Sequence, residues 1–169
     1  MKQYITGDTH FNHTPAMLEY CNRPENFESR IFKHLMALGE DTILYHLGDV
    51  CIGRDAEMHE RYIAPLKARK ILIRGNHDKK SNTWYLAHGW DFVCLAIADN
   101  LFGKKILLTH RPAAESLNYD INIHAHLHNL GHRDGEYLLV KNDKQSLYSC
   151  EDYNYMPVPL RNLIEVKKP

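Results

Sequence analysis

An α/β sandwich, with helices covering the outer faces of packed β-sheets, is the fold class that this 169-residue sequence predicts. Three observations carry it. Short apolar runs of strand length recur, and the early ones are stopped by glycine: residues 2–6 before Gly7, 42–47 before Gly48 and 70–74 before Gly75. Helix-like stretches separate them, giving the order strand, helices, strand, helix, strand, helix and then mostly strands. The length supports one hydrophobic core, and no repeat, low-complexity tract or Gly/Ser linker divides the chain, so residues 1–169 read as a single domain.

The elements follow in order. After the first strand, Thr14-Pro15 reads as an N-cap with proline in the first helical position, opening a helix to about Cys21. Phe27, Ile31, Leu35 and Leu38 form the apolar stripe of a second helix, ended by Gly39. Residues 55–67 suit a third helix whose last turn is disturbed by Pro65, and 82–88 a fourth that ends at Gly89. Residues 91–98 and 104–109 make two strands of a hairpin turning at 100–103, and 119–128 alternate like a strand. Residues 136–141 and 145–150 pair as a hairpin around Asn142-Asp143, and a last helix covers 160–166.

Composition narrows the function classes. Lys+Arg and Asp+Glu both total 21, so the formal net charge is zero and there is no strongly basic face for neutralising nucleic-acid phosphates. The four cysteines (Cys21, Cys51, Cys94, Cys150) make no C-x-x-C pair and read as small buried hydrophobes. No apolar run reaches the length of a signal peptide or a membrane span, so the expectation is a cytoplasmic protein with reduced thiols. Histidine is the outlier, with 12 residues, and it is the commonest biological metal ligand. His34, His46, His59, His88 and His132 have no partner motif and read as packing or surface positions.

All the remaining histidines except His13 fall in small polar clusters where strands end. These are Gly7-Asp8-Thr9-His10, Gly48-Asp49, Gly75-Asn76-His77-Asp78, Thr109-His110 and His124-Ala125-His126-Leu127-His128. In α/β sheets, loops at the carboxyl ends of strands converge, so these clusters can meet in space. Asp8 and His10, two apart, project to one side of extended backbone, as do His124, His126 and His128. The glycines before Asp8, Asp49 and Asn76 let the chain turn sharply. Carboxylate, amide oxygen and imidazole together suit a borderline divalent metal such as Mn²⁺, Fe²⁺, Zn²⁺ or Ni²⁺, and the absence of cysteine argues against structural zinc.

D-x-H, G-D, G-N-H-D, T-H and an H-x-H run, in that order over residues 7–128, resemble the signature of the calcineurin-like metallophosphoesterases. The wording DTHFNH, YHLGDV and ILIRGNHD is similar to small bacterial and phage members. The resemblance implies a sandwich of two mixed β-sheets flanked by helices, and two divalent metal ions, most readily Mn²⁺. It implies that Asp8, His10, Asp49 and His128 hold one ion, and that Asp49, Asn76, His110 and His126 hold the other, with Asp49 bridging. His124 with His126 is the alternative register. Two cations about 3.5–4 Å apart share a water, lower its pKa and clamp phosphoryl oxygens, so hydrolysis by a metal-activated hydroxide is implied.

His77 would serve the leaving oxygen as an acid, and Asp78 would orient its ring. Arg111 and Arg54 would contact phosphate, with Asn12, His13 and His124 at the substrate side. The family's G-D-x-x-D-R has Ile52 in place of its second aspartate, and its G-H-x-H reads Ala125-His126-Leu127-His128. The expected substrate is a small phosphate ester or nucleotide, diesters being favoured by analogy with small members of the family. No membrane partner and no strong nucleic-acid binding are expected, and a homo-oligomer is allowed. The competing readings are a nuclease acting on DNA or RNA ends, and a non-catalytic scaffold such as the retromer subunit that keeps this fold.

Overall fold

The computed structural model describes residues 1–129 and 143–165. The expected strand at 136–141 and His132 lie outside the described residues. Two sheets stand against one another. In chain order the elements are β1 (Lys2–Thr6), α1 (Thr14–Cys21), α2 (Phe27–Met36), β2 (Thr42–His46), α3 (Asp55–Tyr62), β3 (Arg69–Ile73), α4 (Asn82–Ala87), β4 (Phe92–Cys94), β5 (Ala96–Leu101), β6 (Lys104–Thr109), β7 (Ile121–His124), β8 (Gln145–Leu147), β9 (Val158–Pro159) and α5 (Leu160–Glu165). The first sheet has the order β4-β3-β2-β1-β9 and the second β5-β6-β7-β8.

Both sheets are mixed. β1 to β4 run parallel, with β9 antiparallel on β1, while β6, β7 and β8 run parallel, with β5 antiparallel on β6. Parallel pairing puts the carboxyl ends of β1, β2 and β3 on one side. The interior strands β2 and β7 are the most buried along their length, as strands covered on both faces must be. One continuous core includes Ile5, Leu44 and Leu72 of the first sheet, Leu108 and Ile123 of the second, and Phe27, Ile31 and Leu35 of α2. The helical stripe read from the sequence is therefore the buried face of α2.

Four local expectations need correction. Thr14 is not an N-cap: α1 begins at Thr14, His13 stands at the cap, and the Thr14 hydroxyl donates to Glu28 Oε1 at 3.2 Å instead. α3 stops at Tyr62, since Pro65 has no N–H to continue the ladder, and Ile63 and Ala64 both donate to His59 O. Residues 91–98 are two strands, because Cys94 pairs with Ile73 in one sheet and Ala96 with Thr109 in the other. Periodicity does not report which neighbour a strand chooses. Finally, the strand expected over 119–128 spans only Ile121–His124.

Candidate metal centre

Loops from both sheets meet beyond their carboxyl ends. Past β1 and β2 the chain keeps its parallel ladder: Asp8 N–H donates to Gly48 O (2.9 Å), His10 N–H to Asp49 O (3.1 Å) and Phe11 N–H to Val50 O (3.0 Å). From the second sheet, Ala125 N–H donates to His110 O at 3.0 Å, and His126 N–H reaches across to Asp8 Oδ2 at 2.8 Å. Backbone bonds thus fix the relative positions of all these loops.

Extended backbone does not aim the side chains, contrary to the expectation from two-residue spacing. Asp8, His10, Asp49, His126 and His128 have φ of 47°, 48°, 57°, 72° and 52°. Each such residue costs about 1–2 kcal/mol relative to a right-handed one. Strain of this kind persists where surrounding bonds over-determine it, as the ladder does here. Of the glycines expected to turn sharply, Gly48 has φ +91°, and a Cβ there would lie 2.7 Å from Gly75 Cα. Gly75 serves close approach, since its Cβ would lie 2.6 Å from Asp49 N.

Two groups of donor atoms result. In one, Asp8, His10 and His128 each offer an atom, all within 4.8 Å of one another. In the other, Asp49, His110 and His126 do the same. In this second group His110 Nδ1 lies 2.7 Å from Leu47 O, a bond that assigns its proton there and turns Nε2 inward. Nε2 is then 3.0 Å from Asn76 Oδ1, 3.0 Å from His126 Nδ1 and 3.3 Å from Asp49 Oδ2. Ligands about 2.1 Å from one ion stand roughly 3.0–3.4 Å apart along octahedral or tetrahedral edges. Asp49 Oδ2 also lies 3.8 Å from His10 Nε2, so this carboxylate stands between the groups.

Unpaired atoms test whether these residues fit a cation. Asp8 Oδ1 and both ring nitrogens of His10 are buried and make no hydrogen bond. Orphaned buried acceptors are costly, and a divalent ion would satisfy them. The donor set fits. Burial opposes a charge on Asp49, yet the His110 hydrogen bond, the charges of His110 and His10, and the His77 N–H hold its carboxyl well below the usual range. Burial likewise lowers His110, but Asp49 and Asp8 raise it above its ordinary value. Against the same penalty, His128 is pushed up to about 10 by the Asp8 charge and by bonds with Cys21 and Glu151. In the metal-free chain, protons offset the carboxylates; metal uptake would displace them.

The other expected site residues are distributed as follows. His77 is at the mouth, its side chain 41% exposed and its Nε2 4.0 Å from Asp49 Oδ2, while its backbone N–H donates to Asp49 Oδ1 at 2.8 Å. Asp78 does not orient that ring. Its carboxylate is buried and accepts from the N–H groups of Asp49 (2.7 Å), Val50 (3.1 Å) and Gly75 (2.8 Å), clasping two ligand loops. Asp78→Ala leaves those N–H groups unmet and is expected to destabilise the metal-free chain by roughly 3–5 kcal/mol, measured by denaturant unfolding.

Arg111 lies beside Asn76, with Nη2 3.4 Å from Oδ1, and the His13 ring is 5.9 Å from that of His10. Arg54 is turned away, paired on the surface with Glu57 at 2.7 Å. The Asn12 amide is spent on Ile52 O at 2.8 Å. His124 is buried at the end of β7, its Nδ1 3.0 Å from Ala125 O, and belongs to neither donor group.

Sequence reasoning gave no site role to three residues that support the site. Arg23 and Glu151 form a buried ion pair at 2.7 Å under it. His46, read as a packing residue, accepts from Gly48 N–H at Nδ1 (3.2 Å) and so presents Nε2–H to Thr9 Oγ1 (3.0 Å), whose own proton goes to Val50 O (2.8 Å). That chain requires a neutral ring, and complete burial lowers His46 to about 3. Because the folded value lies below the ordinary 6.5, its stabilisation is full above pH 6.5 and is lost as pH falls towards 3. His46→Gln is expected to flatten the acid limb of stability against pH by about one proton over that window, read by denaturation of the metal-free chain.

Packed mixed sheets that feed carboxylates, an amide and histidines into one cleft define a metallophosphoesterase-type α/β sandwich. The chain belongs to the calcineurin-like phosphoesterase family, whose model matches residues 1–165. It is 32% identical over 174 residues to an uncharacterized protein of Methanocaldococcus jannaschii, covering 98% of this chain and 90% of that one. The crystal structure of a protein of unknown function from Aquifex aeolicus is similar over 96% of this chain and 97% of the other, with TM-score 0.77 and 27% identity. An archaeal phosphodiesterase is more distant, with TM-score 0.46 and 21% identity over 76% and 74% of the chains. Among the described residues, no helix is long and apolar enough to cross a membrane.

Proposed function

We propose that the protein is a dinuclear-metal phosphoesterase that hydrolyses small phosphodiesters. The observation that carries this reading is the position of Asp49 Oδ2, 3.8 Å from His10 Nε2 on one side and 3.3 Å from His110 Nε2 on the other. A carboxylate so placed would be shared by two cations held on either side of it. Asp8, His10 and His128 would complete one position, and Asn76, His110 and His126 the other. Bound there, two divalent ions, Mn²⁺ foremost, would supply an acidified water and an electrophilic clamp on phosphoryl oxygens.

The chain's own residues do the rest. His77 holds a proton at Nε2 at the open mouth and delivers it to the departing ester oxygen. Ile52 stands in the sequence where the family carries its second aspartate, and the His77 side chain is exposed, so the acid works from a solvated position. Arg111, exposed beside Asn76, contacts the phosphate, and His13 lines the rim. An open mouth supports a diester, whose two substituents both need room. The test is hydrolysis of a bis-aryl phosphodiester against a mono-aryl phosphate in Mn²⁺. Metal-dependent turnover with the higher kcat/KM on the diester is expected; two bound ions with no turnover of either substrate would leave a scaffold.

A further inference from the structure

We infer that Glu151, anchored by Arg23, is a positioning residue that fixes the His128 ring and thereby sets the affinity of the metal position shared by Asp8, His10 and His128. This rests on the dinuclear reading and deepens it. Glu151 follows β8, far along the chain from the other site residues. Its Oε1 lies 2.7 Å from Arg23 Nε and 3.4 Å from His128 Nδ1, and its Oε2 accepts from the Ser149 hydroxyl at 2.8 Å. Both partners are enclosed: the side chains of Arg23 and Glu151 are 0% and 7% exposed.

Arg23 does more than balance a charge. Nη2 donates to Asp8 O at 2.8 Å and Nη1 to Thr9 O at 3.1 Å, so one guanidinium holds both the strained Asp8 turn and the Glu151 carboxylate. Its planar group lies 4.9 Å from the Phe27 ring centre. Burying such a pair costs desolvation that apolar packing would avoid, so it earns its place through what it orders. A carboxylate oxygen 3.4 Å from Nδ1 favours keeping the His128 proton there, which would leave the Nε2 lone pair for the Asp8–His10 side. Carboxylates placed behind ligating histidines raise ligand basicity and typically change metal affinity by about 10–100-fold.

Two contacts could be read otherwise. Arg23 Nη2 also stands 3.4 Å from His128 Nδ1; a guanidinium only donates, so that contact is a hydrogen bond only if Nδ1 carries a lone pair, whereas the proposed arrangement puts the proton there, facing the Glu151 carboxylate. Cys21, His128 and Glu151 have donor atoms within 4.8 Å of one another, a grouping that can hold an ion. The Arg23 cation already occupies Glu151 Oε1 and opposes a second cation there.

The experiment is Mn²⁺ titration of the metal-free full chain by calorimetry, comparing the parent with Glu151→Gln and Glu151→Asp. Two ions per parent chain are expected. In Glu151→Gln the affinity of one position falls by about 10–100-fold and the other holds within about threefold. Glu151→Asp, which keeps the charge, falls between; it decides the matter if the glutamine variant does not fold. In the Zn²⁺-loaded parent, nitrogen NMR should find the His128 proton on Nδ1. Unchanged affinities at both positions, even with a lower melting temperature, would make the pair merely structural and overturn the inference. A third ion bound by the parent and lost in the variant would make Glu151 a ligand and overturn it too. A parent that takes up no metal would instead remove the dinuclear reading and the inference with it.

Discussion

Asp49→Ala is expected to empty both metal positions and to abolish hydrolysis. The carboxylate faces both donor groups through Oδ2, and its Oδ1 accepts the His77 backbone N–H at 2.8 Å. On the dinuclear reading, removing it takes away the ligand the two positions would share and the negative charge that would balance two cations, and it also removes the hold on the Asn76–His77 loop. Among the described residues, Asp78 is committed to backbone N–H groups and Asp8 belongs to the far group, so neither carboxylate substitutes. Metal content after dialysis and turnover of the diester check this together. Retention of both ions by the variant would show that Asp49 does not bridge.

His77→Ala is expected to do the opposite, keeping both ions while lowering turnover by about 10²–10⁴-fold for an ester with a poor leaving group. The part of His77 that supports the site is its backbone N–H on Asp49, which alanine retains. The ring is 41% exposed and belongs to neither donor group. A leaving group that departs without a proton should show a much smaller loss, because the acid then has little to do. Loss of metal in this variant would convert His77 from proton donor to ligand.

The fold class was legible because strand runs, helical stripe and glycine stops all agreed, from Ile5 through Ile31 to Ile73. Legible too was the order of the polar clusters, since Asp8, Asp49, Asn76 and His110 each follow a strand by only a few residues. Their aim was not. Spacing of two suggested extended backbone at Asp8 and His10, whereas both are left-handed, a state that only the inter-loop hydrogen bonds make tolerable. Asp78 looked like a partner for its neighbour His77, but its oxygens answer to Asp49, Val50 and Gly75 through the tertiary structure.

Arg23 and Glu151 left no sequence signal at all. They meet across 128 positions, and an arginine ahead of a helix or a glutamate in a turn is unremarkable by composition. His46 was likewise invisible, because its role depends on Gly48 and Thr9 closing around the ring. The crossing at Leu95 was hidden for a related reason: Cys94 and Ala96 belong to one apolar run but to different sheets.

The central claim is tested most directly by anomalous diffraction from Mn²⁺-loaded crystals of the protein. Two peaks about 3.5–4 Å apart, one on either side of the Asp49 carboxylate, are the predicted result. A single peak, or peaks that leave Asp49 untouched, would contradict it.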